Sequence, residues 1–219
     1  MRLEDVFPWG HNLAEYQAMF NLESKDLYKS IVSFADGTSS ANSELVQSGC
    51  TMVSVDPIYR FNREDISRRL DEMVMHTERY QQGLPSEERQ QASDVANSRA
   101  NATRTFLADF DIGKKQHRYL AEELPGPISL PDDSFDFGLC GHFLLLYDYL
   151  GLAFHIAAIT EMLRICKDLR IYPTVNLNGQ QSLVLDGVRA HFSDSYSVYI
   201  QKVGYGFQGM GKQMLRISK

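Results

Sequence analysis

Residues 30–57 read SIVSFADGTSSANSELVQSGCTMVSVDP, and this stretch decides the fold. Two short apolar runs, 30–35 (SIVSFA) and 51–55 (TMVSV), are bounded by turn-forming residues, as buried strands are. Between them, residues 39–48 have the length of a helix and end at Gly49, the residue type that closes helices in the left-handed conformation. A strand, a helix and a second strand make a crossover unit, and such units join parallel strands. The expected class is therefore α/β.

Working outward, the alternation continues through 118–121 (RYLA), 135–140 (FDFGLC), 169–173 (LRIYP), 196–203 (YSVYIQKV) and 213–217 (QMLRI), which brings the candidate strands to seven. Residues 142–166 are long enough for a helix that leads into the fifth strand, and 178–191 can supply the next crossover. Doubly wound packing of a mostly parallel sheet follows. Only residues 204–212 (GYGFQGMGK) separate the last two strands. That is short of the dozen or so residues a parallel crossover needs, so the chain should end in an antiparallel hairpin.

Two regions stand outside this alternation. Residues 1–29 hold the helical pattern NLAEYQAMF and a capping-type start at Ser24, and predict a pair of short helices capping the sheet. Residues 57–115 predict a helical insertion after the second strand, broken into two helices at Gly83, Leu84 and Pro85. Its Arg and Glu density reads as solvated helix faces. The whole chain, 1–219, is expected to be one domain.

Composition limits the function classes. With 22 basic and 28 acidic side chains the formal charge is −6, and 43% hydrophobic against 23% charged residues describes a globular chain rather than a disordered one. No apolar run approaches the roughly 20 residues that span a bilayer, and MRLEDVFPWG has no leader pattern, so a cytoplasmic protein without membrane attachment is expected. The acidic balance argues against nucleic acid as a partner. Cys50, Cys140 and Cys166 are widely spaced and form no C-x-x-C pair, and the histidines show no H-x-x-x-H spacing. No metal is expected. Oligomeric state is left open.

The turn after the first strand, Ala35-Asp36-Gly37-Thr38-Ser39-Ser40, is built of small residues and opens a helix. Such a turn lets a ligand approach the backbone, and helix N-terminal N–H groups favour a carboxylate or phosphate, although a tight loop with a Ser N-cap has the same composition. About 20 residues on, the second strand ends at Asp56. An acid there can take hydrogen bonds from both hydroxyls of a ribose. The alternative is an aspartate that starts the Asp-Pro turn or caps a helix.

Residues 130–136 (LPDDSFD) lead into FGLCGHF at 137–143. With the turn, the acid-ended second strand and the terminal hairpin, these residues make the sequence resemble the class I S-adenosylmethionine-dependent methyltransferases, with a seven-stranded, Rossmann-like sheet. More narrowly, FPWG at 7–10, DPIYRF at 56–61, GHFLLLY at 141–147 and RIYP at 170–173 look like a group of bacterial methyltransferase-like proteins of unassigned substrate. The resemblance implies that Ala35, Asp36 and Gly37 pass beneath the methionine part of S-adenosylmethionine and that Asp56 holds the ribose. Pro57 and Ile58 would lie against the adenine, Glu122, Glu123 and Leu124 would flank its edge, and Gly141, His142 and Phe143 would face the sulfonium.

The implied activity is transfer of the sulfonium methyl to an acceptor, a small molecule rather than a macromolecule, leaving S-adenosylhomocysteine. His142 is the candidate base for an acceptor that must lose a proton, with a structural histidine as the alternative. Trp9 and His11 could close over the cofactor or simply pack on the sheet, and Tyr147 and Asp148 could orient the acceptor or begin a helix. Where the family's first motif reads acid-x-Gly-x-Gly, this chain has Ser33-Phe34-Ala35-Asp36-Gly37, so one glycine remains. That departure keeps a second reading open: a methyltransferase-fold module that senses cofactor or binds a partner without catalysis. A nicotinamide oxidoreductase would need G-x-G-x-x-G after the first strand, which is absent.

Overall fold

The structure, a computed structural model, describes residues 8–206 and 211–219. Residues 1–7 of the expected N-terminal cap and 207–210 of the hairpin connection lie outside the described residues. One sheet of seven strands organises the chain in the order β3-β2-β1-β4-β5-β7-β6. The strands are β1 (Ile31–Phe34), β2 (Met52–Val55), β3 (Tyr119–Leu120), β4 (Phe135–Gly141), β5 (Cys166–Tyr172), β6 (Ser197–Lys202) and β7 (Gln213–Ser218). β1 to β5 run parallel, and β7 runs antiparallel to both β5 and β6. This is the methyltransferase-type Rossmann-like sheet expected from the sequence.

Both faces of the sheet are covered, which is why β1 is apolar at nearly every position. Val32, Phe34 and Val55 pack on one face with residues of α5 (Leu152–Ile165) and α6 (Leu185–Phe192), among them Met162, Leu163 and Val188. Ile31 and Met52 point the other way, beneath α1 (Leu13–Phe20) and α2 (Ala41–Gln47). α1 starts in a capping box, in which Asn12 accepts from the Glu15 amide at 2.9 Å and Glu15 accepts from the Asn12 amide at 3.0 Å. α2 ends as predicted at left-handed Gly49, where the Gly49 amide donates to Val46 O and the Cys50 amide to Leu45 O.

The insertion forms α3 (Arg63–Gln82) and α4 (Ser86–Lys115), broken where Gly83, Leu84 and Pro85 predict. Its apolar side, with Ile66, Leu70, Phe106 and Phe110, closes over Ile58, Tyr59 and Tyr119. At its far end Arg118 grips Asp109 with two bonds of 2.7 and 2.8 Å and donates to Asn42 of α2 at 2.6 Å. This fork ties insertion, sheet edge and α2 together.

Three expectations are corrected. The second N-terminal helix is a single 3-10 turn, Asp26–Tyr28. Lys29 is already extended and Ser30 is bound to Asp136 at the start of β4, so no length remains for a helix before β1. The helix expected over 142–166 is two pieces, a kinked 3-10 segment (Leu145–Leu150) and α5, divided by Gly151 at φ 84°. β5 also begins at Cys166 rather than 169, because α5 passes into it without a loop.

Candidate functional site

A cleft of about 380 Å³ opens at the carboxyl rim of the sheet. Its walls are Ala35 from the first turn, Val55, Asp56 and Pro57 from the end of β2, Glu122, Glu123 and Leu124 after β3, and Phe143, Leu150 and Phe154 after β4. Parallel strands expose their carboxyl ends on one rim, so residues more than 100 positions apart meet there.

Asp56 sits where β2 gives way to a 3-10 turn. One carboxylate oxygen accepts from the Ile58 amide at 2.8 Å, and the other accepts from the Gly37 amide at 2.9 Å. The aspartate is thus the turn's cap, one of the two alternatives left by the sequence, and it also lines the cleft. Burial pushes its carboxyl up to about 6, and the two amides pull the other way. Gly37 has φ 57°, and a methyl on it would meet nothing within 4 Å.

The other predicted residues divide. Ala35 lines the cleft at φ 52°, a left-handed conformation that suits glycine, and donates to Val55 O at 2.8 Å. Asp36 points away from the cleft, at 6% exposure, where its carboxylate accepts from the Tyr16 hydroxyl and, at 2.5 Å, from the Ser33 hydroxyl. Its second oxygen has no hydrogen-bond partner among the described residues. Burial raises this carboxyl above its ordinary range. Ile58, 2% exposed, lies beneath the insertion, and Gly141 faces Phe20 on the α1 side. Glu122 accepts from the Ser129 amide at 2.7 Å, and Glu123 pairs with Arg60 at 3.2 Å.

His142 is not in the cleft wall, although its neighbour Phe143 is. Its ring stacks on His11, with centroids 4.4 Å apart and planes 9° from parallel, and its edge meets Tyr172 and Tyr205. Desolvation first, then His11 and Arg99, hold its proton affinity well below the ordinary histidine range. Asp148 accepts from Asn176 and from the Leu183 amide, both at 2.9 Å, and so fixes the loop after β5.

Sequence reasoning missed Leu150 and Phe154, whose signal was Gly151 between them, and it missed Glu15, Arg99 and Tyr205 around the histidines. Arg99 of α4 donates to Glu15 at 2.5 Å and to the Tyr205 hydroxyl at 2.5 Å. Burial works against ionisation of Glu15, yet the Arg99 guanidinium and the Asn12 amide help to hold its carboxyl below the usual carboxylate range. Among the described residues no group of His, Cys, Asp and Glu is arranged to hold a metal, and no helix is long and apolar enough to cross a membrane.

No protein-family model matches the sequence. The uncharacterized protein MJ0045 of Methanocaldococcus jannaschii is 32% identical over 225 residues, covering 100% of this chain and 99% of that protein. This chain belongs to the family of MJ0045. Its member here is archaeal, so the family is not confined to bacteria. Among solved structures the chain is similar to a SAM-dependent methyltransferase from Aquifex aeolicus, at 13% identity over 93% of this chain and 90% of that one, with a TM-score of 0.42. It is also similar to a SAM-dependent methyltransferase from Methanosarcina mazei, at 12% identity over 98% and 96%, with a TM-score of 0.45. Strand order and direction, not these distant likenesses, define the fold.

Proposed function

We propose that the rim cleft receives the adenosyl group of S-adenosylmethionine and that the protein is a methyltransferase acting on a small molecule. Asp56 carries this reading. Each of its oxygens takes one backbone N–H, which leaves a further lone pair on each for a ribose hydroxyl. Val55, Pro57, Leu124, Phe143 and Phe154 supply apolar walls for a flat base. The nucleoside half of the cofactor therefore fits the donor set and the shape.

The amino-acid half fits less well. Asp36 is turned inward, and the amide of Ser40 and the hydroxyl of Ser39 at the start of α2 are already taken by the His11 carbonyl, at 3.0 and 2.9 Å. A ligand's carboxylate finds those donors only once the chain over them moves. When bound, the cofactor supplies a methyl group on a positively charged sulfur. The chain's own part is to fix the ribose through Asp56, to exclude water with Phe143, Leu150 and Phe154, and to hold the acceptor in line. His142 stays unprotonated at neutral pH, and its low proton affinity suits an acceptor that parts with its proton readily.

The closure of the turn also favours a second reading, a nucleoside-binding module without turnover. Calorimetry with S-adenosylhomocysteine and adenosine, followed by transfer of labelled methyl to a small-molecule extract, separates the two. Binding with transfer supports the enzyme, binding without transfer supports the module, and binding of neither ligand at millimolar concentration ends both.

A further inference from the structure

Residues 8–12 cross the first turn as a strap pinned from three sides. The Thr103 hydroxyl of α4 donates to Pro8 O at 2.7 Å and accepts from the Gly10 amide at 2.9 Å. The same oxygen lies 2.9 Å from the Thr38 hydroxyl. A methyl on Gly10 would stand 2.3 Å from Thr38 O, so the strap rests directly on the backbone of the turn. Beyond Gly10, the His11 carbonyl caps Ser39 and Ser40.

The remaining anchor is the His11 ring, stacked on His142. Arg99 approaches His11 Nδ1 at 2.6 Å, and a guanidinium has donors only. Nδ1 is therefore the acceptor, and the ring is neutral with its proton on Nε2. Among the described residues, the groups facing the pair are Glu15 of α1, Arg99 of α4, Tyr205 after β6 and, against His142, Tyr172 of β5. Arg99 and Glu15 form an ion pair at 2.5 Å and offset each other. With both imidazoles neutral, the charges that the described residues place at the pair balance. A proton on His11 Nδ1 evicts Arg99, and a second on His142 sets two like charges face to face.

We propose that the stacked His11–His142 pair is an acid-released latch: the neutral rings hold residues 8–12 across the first turn, and their protonation frees the strap and uncovers the start of α2. If the cleft binds the adenosyl group, the uncovered turn is where the ligand's amino-acid arm enters, and this consequence alone rests on the proposed function. Burial lowers the proton affinity of both rings in the latched state. The open state, with ordinary histidines, binds more protons, so latching is complete above the ordinary histidine value of about 6.5 and is lost as pH falls below it.

Trp9 is the chain's one tryptophan, lies in the strap, and packs against the core of the insertion. Its emission therefore reports the latch without any ligand, which separates this test from the cofactor reading. The full chain is titrated from pH 8 to 5 while Trp9 emission and far-UV circular dichroism are followed together. The expected result is a reversible red shift centred below pH 6.5 with the dichroism unchanged. His142→Phe keeps an aromatic face but cannot take a proton, so its transition becomes shallower, and the His11→Phe, His142→Phe double variant shows none. Flat emission in the native chain overturns the latch, as does loss of dichroism in step with emission. A transition of native midpoint in the double variant belongs to another group, Asp56 among them, and also overturns it.

Discussion

Over β2 and β3 the carboxyl rim is open, apolar and equipped with a carboxylate, whereas over β1 and α2 the chain has covered itself. Both halves are made from the same crossover, one turn and one strand end apart. The open half is held by backbone, since Asp56 is fixed by the Gly37 and Ile58 amides. The covered half is held by side chains and by a segment that must fold back on it. On the proposed function, a nucleoside would meet a preformed site, and an anionic arm a site that first has to be vacated.

The largest effect expected is at Asp56. Asp56→Ala removes the ribose acceptor and leaves two amides without their partner. Two charge-assisted hydrogen bonds, at about 1.5–3 kcal/mol each, set a loss of at least about 100-fold in affinity for S-adenosylhomocysteine. Adenosine should fall by the same factor, because it presents the same ribose. A variant that loses one ligand and keeps the other breaks the division of the rim into a nucleoside half and an arm half.

Next comes Gly10, which probes the covered half alone. Gly10→Ala forces a methyl against the Thr38 carbonyl and the Thr103 amide, at 2.3 and 3.0 Å, and neither backbone group can step aside. Overpacking of this kind costs about 1–3 kcal/mol and should appear as a lower melting temperature. Adenosine affinity should hold, since the cleft is not touched. An unchanged melting temperature would mean that the strap does not bear on the turn.

The difference between the halves also explains what could be read from the sequence. All seven strands were legible because each is an apolar run closed by turn residues, even β3 with Tyr119 and Leu120 alone in the ladder. Asp56 was legible because its place depends on local spacing along one crossover. The inward turn of Asp36 was not, because it depends on Tyr16, 20 residues away on another element. The strap was equally hidden: Gly10 meets Thr103 across 93 residues, and His11 meets Arg99 across 88. No periodicity or spacing rule encodes such contacts.

A smaller effect follows from pH. With its carboxyl pushed up to about 6, Asp56 must be ionised to accept both hydroxyls, so nucleoside affinity should be full above pH 6 and about tenfold weaker at pH 5. Stability of the unliganded protein moves the other way at this residue. The folded state holds the Asp56 proton more tightly than the unfolded chain, so this contribution falls as pH rises from about 4 through 6. Melting curves of Asp56→Asn against the native chain isolate that slope, and parallel curves would show that burial does not perturb the carboxyl.

The smallest effect belongs to Ala35, which stands where the two halves join. At φ 52° it pays the left-handed penalty of an L-residue, about 1–2 kcal/mol, in a place where glycine would not. Glycine brings back about 0.5–1 kcal/mol of chain entropy, so Ala35→Gly should stabilise the protein by up to about 1 kcal/mol in a melting experiment. The same change removes a methyl from the cleft wall. If that methyl obstructs the ligand's arm, S-adenosylhomocysteine should gain affinity while adenosine does not. If both ligands are unmoved, the obstruction lies wholly in residues 8–12, and an alanine at position 35 is a matter of backbone strain rather than of access.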